Sequence, residues 1–486
     1  MEIATRLSNE IVRYLDLNTR QIQLTGANMA NASNQSYTRE VPNWQQNQPI
    51  YLNGTAYSTG VTVTGGISQR DRVLEQRLQQ QQQLSSASSS LLSALTTLQG
   101  NFAPANGTSA SGDIGTDITN FFNAYSQLES NPTSNPLRQQ ILSSATTLAA
   151  DISGKAGSLD AQQNALDQSV NTIVTQVNAL SVSLAEVNKQ IQSLSPGQDA
   201  GTLEDQRQSD LSQLSQLIGV NQIMTESNGL SITTSGGQLL VSEGSAFQIT
   251  TANVSGLTHL LLNGTDITTQ LDSGGGQLGG LLTARDQSIP NTLASLDQLA
   301  YGMSTSVNAA NNAGTDLDGD NGNVGNIFNA PMQVAGTALA MSVVMTDPNK
   351  IAAAGLGQGK GDNSNALTAA SLATQAIING QTPSDYFSNM VSTLGALVSQ
   401  TATENMALAA SVTQLQTQRN ALSSVNLDEE ASNLEEFQRS YQAASQVFTI
   451  MNSIMASALN LGVEKQWHES LYVICADPES ANSAAN

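Results

Sequence analysis

His259 and His468 are the only two histidines, and Cys475 the only cysteine, in 486 residues. A general base needs a partner that orients it within hydrogen-bond reach of a proton. The two histidines stand in unrelated segments, and no nucleophile-type motif surrounds Cys475. The loop GLGQGKG at 355–361 has the look of a phosphate cradle, but a P-loop requires glycine where Ala354 stands and Ser or Thr where Gly361 stands. Lys360 likewise fills the last glycine position of a dinucleotide fingerprint, so the segment reads as a flexible turn. Asp316, Asp318 and Asp320 have the alternate spacing of a calcium loop. There the turn glycine comes one position late and Ile327 replaces the bidentate glutamate, which predicts weak calcium binding or none. The acids of LDEE at 427–430 could pair for acid–base work. They also fit the first turn of a helix, where Asp428, Glu429 and Glu430 complement the dipole. On this reading the chain has no catalytic residue, no metal site and no cofactor.

The overall balance narrows the partners. Lys plus Arg is 17 against 39 for Asp plus Glu, a net charge of −22, which repels nucleic acid and anionic lipid surfaces. The acidity is uneven: seven arginines offset six acids in residues 1–77, so the first segment is nearly neutral. One cysteine excludes an internal disulfide framework. No apolar run reaches the roughly 18 residues of a membrane span, and the opening MEIATRLSNE has neither a basic cluster nor an apolar h-region. Cytoplasmic residence, or export by a route that reads no cleaved signal, is therefore expected.

With aromatics at 4% and charged residues at 12%, folding must rely on how the apolar residues are arranged. Leu159, Leu166, Ile173, Leu180, Val187 and Leu194 recur every seven positions, and Val170, Val177, Leu184 and Ile191 form a second row; together they predict a long helix with a coiled-coil seam. Ser195-Pro196-Gly197 ends it, and a return helix carries Leu203, Leu211, Leu214 and Leu217 as far as Gly219. A weaker series, Phe387, Leu394, Leu408, Leu415 and Leu422, is interrupted by Thr401. Near one end Ile3, Leu7, Ile11, Tyr14, Leu17 and Leu24 keep helical spacing, with Arg6, Arg13 and Arg20 a heptad apart on another face. Near the other, Leu427, Leu434, Tyr441, Phe448 and Met455 form one row, with Phe437, Ala444, Met451 and Ala458 beside it. Between the long helices, 221–271 alternates apolar and polar residues around Asn-Gly and Gly-Gly turns, which predicts a small β-rich module. Residues 49–66 read as a hairpin turning at Asn53-Gly54, and 312–330 and 355–365 as loops.

One stretch fits neither core nor linker. LTGANMANASNQSYTRE (24–40) places Asn28, Asn31, Asn34 and Gln35 among small alanines and ends at an exposed-looking Tyr37. It resembles the Asn-rich motif that follows the first helix of bacterial flagellar axial proteins, and residues 425–461 are similar to their shared C-terminal helix. FFNAYSQLESNPTSNPLRQQIL (121–142), GGQLGGLLTARDQSIPNTLASLDQLA (275–300) and GDNSNALTAASLA (361–373) narrow the resemblance to the hook-associated protein 1 family of hook–filament junction proteins, over nearly all of 1–462.

That resemblance implies a type III export substrate assembling outside the cell as a ring of its own copies. Its implied partners are hook protein, the second junction protein and an export chaperone. It also implies that the side-chain amides of Asn28, Asn31 and Asn34 bond backbone in the turn leaving the first helix. Ser36 and Ser424 stand where the family has glycine, an extra outer β-rich domain after Phe328 is expected to be missing, and residues 463–486 form an added tail. The expected fold is mainly α, with long antiparallel or coiled-coil helices, a small β-rich module, and N- and C-terminal helices paired in one terminal domain. Its expected divisions are a terminal domain of 1–60 with 426–462, a helical outer domain of 61–220 with 272–425, and the β-rich module at 221–271. Assembly contacts are expected from Ile3, Leu7, Tyr14, Leu17, Leu24, Leu427, Leu434, Phe437, Tyr441, Phe448, Met451 and Met455, with Asn28, Asn31 and Tyr37 as the turn motif. Another axial protein, such as hook-associated protein 3 or a hook subunit, and an adhesin or hydrolase using the same export route, stay open as alternatives.

Overall fold

The computed structural model describes residues 2–34, 37–52, 55–57, 60–103, 113–194, 201–224, 229–272 and 274–475, leaving out the side chains of 2–7, 50–52, 57, 224 and 458–475. In chain order its elements begin with α1 (Glu2–Ala30), β1 (Glu40–Gln46), β2 (Ile50–Leu52), β3 (Thr55–Tyr57), β4 (Val61–Ser68), α2 (Arg72–Gly100), α3 (Ile114–Ser130), α4 (Asn135–Ser193) and α5 (Gly201–Leu217). Then come β5 (Val220–Met224), β6 (Leu230–Thr234), β7 (Leu239–Ser242), β8 (Ser245–Ala246), β9 (Ile249–Val254), β10 (Leu257–Leu262) and β11 (Thr265–Asp266). Helices α6 (Thr268–Asp272) and α7 (Gly276–Thr283), a π-helical turn Ala284–Ser288, α8 (Ile289–Asn312), β12 (Gly314–Thr315) and α9 (Thr337–Ala340) follow. A 3-10 turn Pro348–Lys350, β13 (Ala354–Gly355), α10 (Ser364–Ser371), α11 (Pro383–Ser423) and α12 (Leu427–Cys475) complete the order.

Two units emerge from the packing: residues 1–75 with 190–209 and 416–486, and residues 76–189 with 210–415. The second holds the apolar core. Helix α3 starts where the Asp113 carboxylate accepts the Gly115 N–H, and it buries Ile114, Ile118, Phe121, Phe122, Tyr125 and Leu128. Phe121 meets Phe122, Tyr125 and Phe328 at centroid separations of 5.2, 5.5 and 5.7 Å, the first two edge-on, as aromatic quadrupoles favour. These rings share one cluster with Leu148, Ile152 and Leu159 of α4 and Leu296, Leu299 and Met303 of α8.

Helix α4 begins at Asn135, well before the heptads at 159, and its first half is buried through Ile141, Leu142, Leu148 and Ile152 with Ala145, Ala149 and Ala156 between them. Further along, Val170, Ile173, Val177 and Leu184 are buried as their spacing predicts. They meet Leu211 and Leu214 of α5 and also Ile232, Leu240, Val241, Leu260 and Leu262 of the strands, so the seam is filled from helix and sheet together. The strands form two antiparallel sheets, β5-β6-β7-β8 and β11-β10-β9. Leu262 pairs with Thr265 across Asn263-Gly264, both at positive φ (52° and 80°), the geometry of a type I′ hairpin turn.

Helix α7 packs closely on α2: a Cβ on Gly280 would lie 2.1 Å from the Ala87 carbonyl oxygen. The π-helical turn that follows carries Arg285, buried and paired with Asp167 and Asp286 at 2.7 Å and with the Thr258 carbonyl at 2.8 Å. In α11 the interruption at Thr401 is accommodated, since its hydroxyl donates to the Leu397 carbonyl at 2.9 Å and the residue is buried. Leu422 is exposed, so the apolar row ends before it.

In the first unit β1 pairs antiparallel with β4, and β2 with β3. Residues 53 and 54, the expected hairpin turn, lie outside the described residues, as does Ser36. Helices α1 and α12 pack along each other. Asn28 near the end of one hydrogen-bonds Glu430 at the start of the other, so the pairing is antiparallel.

Candidate functional site

The last turn of α1 delivers Asn28 into a buried position where all its hydrogen-bonding capacity is used. Its Nδ2 donates to the Glu40 carbonyl (2.9 Å) and to Glu430 Oε2 (3.2 Å), while its Oδ1 accepts from the Tyr37 hydroxyl (2.8 Å) and the Glu40 N–H (3.0 Å). A carboxamide offers two donors and two acceptors, so no isosteric side chain could reproduce the set. Its contacts with Glu40 mimic a strand partner just as β1 begins. Tyr37 is buried by this bond, against its exposed look in the sequence. Asn31 Nδ2 donates to the Ala27 carbonyl at 2.9 Å, and the Asn34 main chain joins Asn31 and Tyr37.

Glu430 sits in the first turn of α12, which Asn426 opens by accepting the Asp428 N–H at 3.0 Å. At 2% exposure its carboxylate would be costly to bury unpaired. Arg39 Nε donates to Glu430 Oε1 at 2.8 Å, and Arg39 Nη2 to Glu429 Oε1 at 2.7 Å. Burial alone would lower the Arg39 pKa. The hydrogen bonds and charges of Glu429 and Glu430 outweigh it and raise the pKa, so the guanidinium stays charged. The main chain of Arg39 is held as well, its N–H donating to the Ser423 carbonyl and its carbonyl accepting from Gln69, both at 2.9 Å. The LDEE acids thus act as more than dipole partners.

Around this centre lies a second ring of ion pairs. Arg70 donates to Asp205, to the Thr38 hydroxyl (2.9 Å) and to the Glu204 carbonyl (3.2 Å). Burial pushes the Asp205 carboxyl up, against the pull of Arg70. Arg419 Nε donates to Glu75 at 3.0 Å and Arg419 Nη2 to the Tyr37 carbonyl at 3.5 Å. Arg39, Arg70, Glu75, Asp205 and Arg419 went unnoticed in the sequence. A faint signal existed: in a chain with so few charges, Arg39-Glu40 and Arg70-Asp71-Arg72 beside the Asn-rich stretch are a local excess.

The structure distributes the expected assembly residues unevenly. Leu17 and Ala444 are buried, and Leu24, Leu434, Phe437, Phe448, Met451 and Met455 are half-buried on the facing sides of the pair. Tyr14, Tyr441 and Leu427 are exposed, and the side chains of Ile3 and Leu7 lie outside the description. Helix α12 carries a second apolar row that the heptads did not include: Val447, Ile450 and Ile454 are 51%, 58% and 62% exposed.

Among the described residues no group of three or more His, Cys, Asp or Glu side chains is arranged to hold a metal ion, and no helix is long and apolar enough to cross a membrane. A groove of about 740 Å³ between α2, α4 and α5, lined by Ser86, Ser89, Gln176 and Gln213 among others, has no titratable side chain on its wall. The polar groups of the Asn28 site bind one another, an arrangement that positions chain segments.

Such a site belongs to a structural protein of long helices whose two ends are fastened together. Residues 105–328 match the family described as "Flagellar hook-associated protein FlgK helical domain", and residues 416–461 match "Flagellar basal body rod FlgEFG protein C-terminal". The chain is 24% identical to Flagellar hook-associated protein 1 of Escherichia coli (strain K12), and 26% identical to the protein of that name from Bacillus subtilis (strain 168). Each alignment covers 92% of this chain and 96% of the relative. The flagellar hook junction protein FlgK from Burkholderia pseudomallei has a similar fold, with a TM-score of 0.63 at 18% identity over 72% of this chain and 100% of that one. Residues 105–328 thus carry the helical domain of flagellar hook-associated protein FlgK, and the matches along the chain place it with structural flagellar proteins rather than enzymes.

Proposed function

We propose that this chain is a junction subunit that joins hook to filament and assembles through its terminal helices. In this reading it leaves the cell by the flagellar type III route, guided by an export chaperone. It then forms a ring of its own copies between hook protein and the second junction protein. Residues 1–60 with 426–462 are the tube-forming terminal domain, 61–220 with 272–425 the outer helical body carrying the 221–271 module, and 463–486 an appendage without a part in assembly. The observation that carries the reading is the antiparallel α1–α12 pair, fixed at one end by Asn28 and Glu430, with the Val447, Ile450 and Ile454 row left uncovered. Helices with one uncovered apolar side gain burial only beside neighbours, so folding of the ends and assembly are coupled.

The test is complementation of a strain lacking its own junction protein. The full chain should restore filaments and swimming. A chain lacking residues 428–462 should leave hooks without filaments, with flagellin shed to the medium, as seen by negative-stain microscopy. Filament growth on the truncated chain would overturn the proposal.

A further inference from the structure

The loop Asp316–Gly322 follows β12 and faces the 3-10 turn Pro348–Lys350. Its three alternate carboxylates converge on one atom: Lys350 Nζ lies 2.6 Å from Asp320 Oδ2, 3.0 Å from Asp316 Oδ2 and 3.1 Å from Asp318 Oδ2. An ammonium has three N–H donors and no acceptor, so three carboxylate oxygens satisfy it completely. Calcium would need six to eight oxygens at about 2.3–2.6 Å, more and nearer than three single oxygens supply. The loop is otherwise closed as a calcium loop would be. Asp316 Oδ1 accepts the Gly319 and Asp320 N–H groups, each at 2.8 Å, and its carboxylate is fully buried. Asn349 Nδ2 adds a bond to Asp318 Oδ1 at 3.3 Å.

We propose that the ammonium of Lys350 is the resident cation of this loop, standing where a divalent ion would otherwise be needed, so that the loop keeps its closed form without metal. Three carboxylates on alternate residues repel one another unless a positive charge sits between them. Lys350 supplies it from within the chain. Hydrogen bonds from Lys350 to Asp320, Asp316 and Asp318 raise the lysine pKa. For Asp316, burial pulls upward, but the bonds from Lys350 and the loop N–H groups prevail and leave it lowered. Buried Arg138 adds a second positive charge, acted on by Asp316 and Asp318.

Thermal unfolding of the full chain tests this, with calcium or EDTA present. The wild-type midpoint should be the same in both, and Lys350→Arg should stay close to it. Lys350→Met should lower the midpoint by roughly 2–4 °C. Asp320→Asn should lower it in the wild-type background and raise it in the Lys350→Met background, where it removes uncompensated repulsion. A wild-type midpoint that rises with calcium would overturn the assignment, as would an Asp320→Asn effect of the same sign in both backgrounds. If Lys350→Met does not accumulate, Asp320→Asn with and without calcium decides: a calcium-dependent midpoint in the wild type that Asp320→Asn abolishes identifies a metal loop and overturns the proposal.

Discussion

Helices α1 and α3 bury faces made of opposite materials. On α3 the inward row is Ile114, Ile118, Phe121, Phe122, Tyr125 and Leu128, with Asp117 its one carboxyl. On the last half of α1 it is Asn18, Gln21, Thr25 and Asn28, with Leu17 the only fully apolar member below a tenth exposure. The first kind of surface is stabilised by area removed from water and is indifferent to direction. The second contributes little net energy per bond but specifies geometry, because an unpaired buried donor or acceptor is destabilising. The second unit is therefore held by bulk packing, whereas the paired ends of α1 and α12 are registered by directional bonds and leave an apolar row exposed.

The largest effect should come from the dry core. Phe121→Ala removes a fully buried ring from three aromatic contacts and should cost about 3–5 kcal/mol. Denaturant unfolding should show the midpoint of the whole second unit falling. Glu430→Ala should cost about 2–3 kcal/mol, because Arg39 keeps Glu429 while Asn28 loses one acceptor. Its signature is locality. Hydrogen exchange should rise in the last turn of α1 and the first turn of α12, with the α3 core unchanged; a uniform loss of protection would erase the contrast between the regions.

Asp117 is the point where the apolar region borrows the other's chemistry. Burial, then a hydrogen bond to Asp151 and the charge it carries, push the Asp117 carboxyl up to about 7. A carboxyl that holds its proton more tightly folded than unfolded adds stability at low pH, and that stability is lost as pH rises from about 4 to 7. Asp117→Asn mimics the protonated form. It should flatten the fall in melting temperature between pH 5 and 8 and leave the variant more stable than wild type at pH 8, by about 1–3 kcal/mol. An unchanged slope would show that Asp117 does not titrate in this range.

The two regions also differ in how far the sequence disclosed them. Apolar periodicity is local, so the heptads from Leu159 to Leu194 and the alternation within 221–271 announced helix and strands. What covered the heptads was not local: Val177 could have met a helix or a sheet, and the strands fell on it only through the turns at Asn263-Gly264 and elsewhere. The start of α4 at Asn135 was missed although Ile141, Leu148 and Ile152 carry the stripe back from Leu159, because Ala145, Ala149 and Ala156 fill the positions between them. Directional bonds leave even less trace. Asn28 was conspicuous, but Glu430 lies 402 positions away, and nothing in a single glutamate says which asparagine it will accept from. Arg419 with Glu75, and Arg70 with Asp205, were invisible for the same reason.

The smallest effect on stability should come from the exposed row of α12. Ile450→Gln with Ile454→Gln replaces two exposed side chains on α12 by residues that favour helix, so the melting temperature should stay within about 0.5 kcal/mol of the wild type in free-energy terms. Export should likewise be intact, since the Asn28–Glu430 pair and the half-buried Phe437 and Phe448 remain. Incorporation should nevertheless be lost, because the apolar area that neighbouring copies would cover is gone. Immunoblots of purified hook–basal bodies against culture supernatant make the separation: the variant accumulates in the medium and is absent from the hooks. Normal incorporation of a chain so altered would mean that the outward row is incidental, and that the ends are fastened for some purpose other than meeting neighbours.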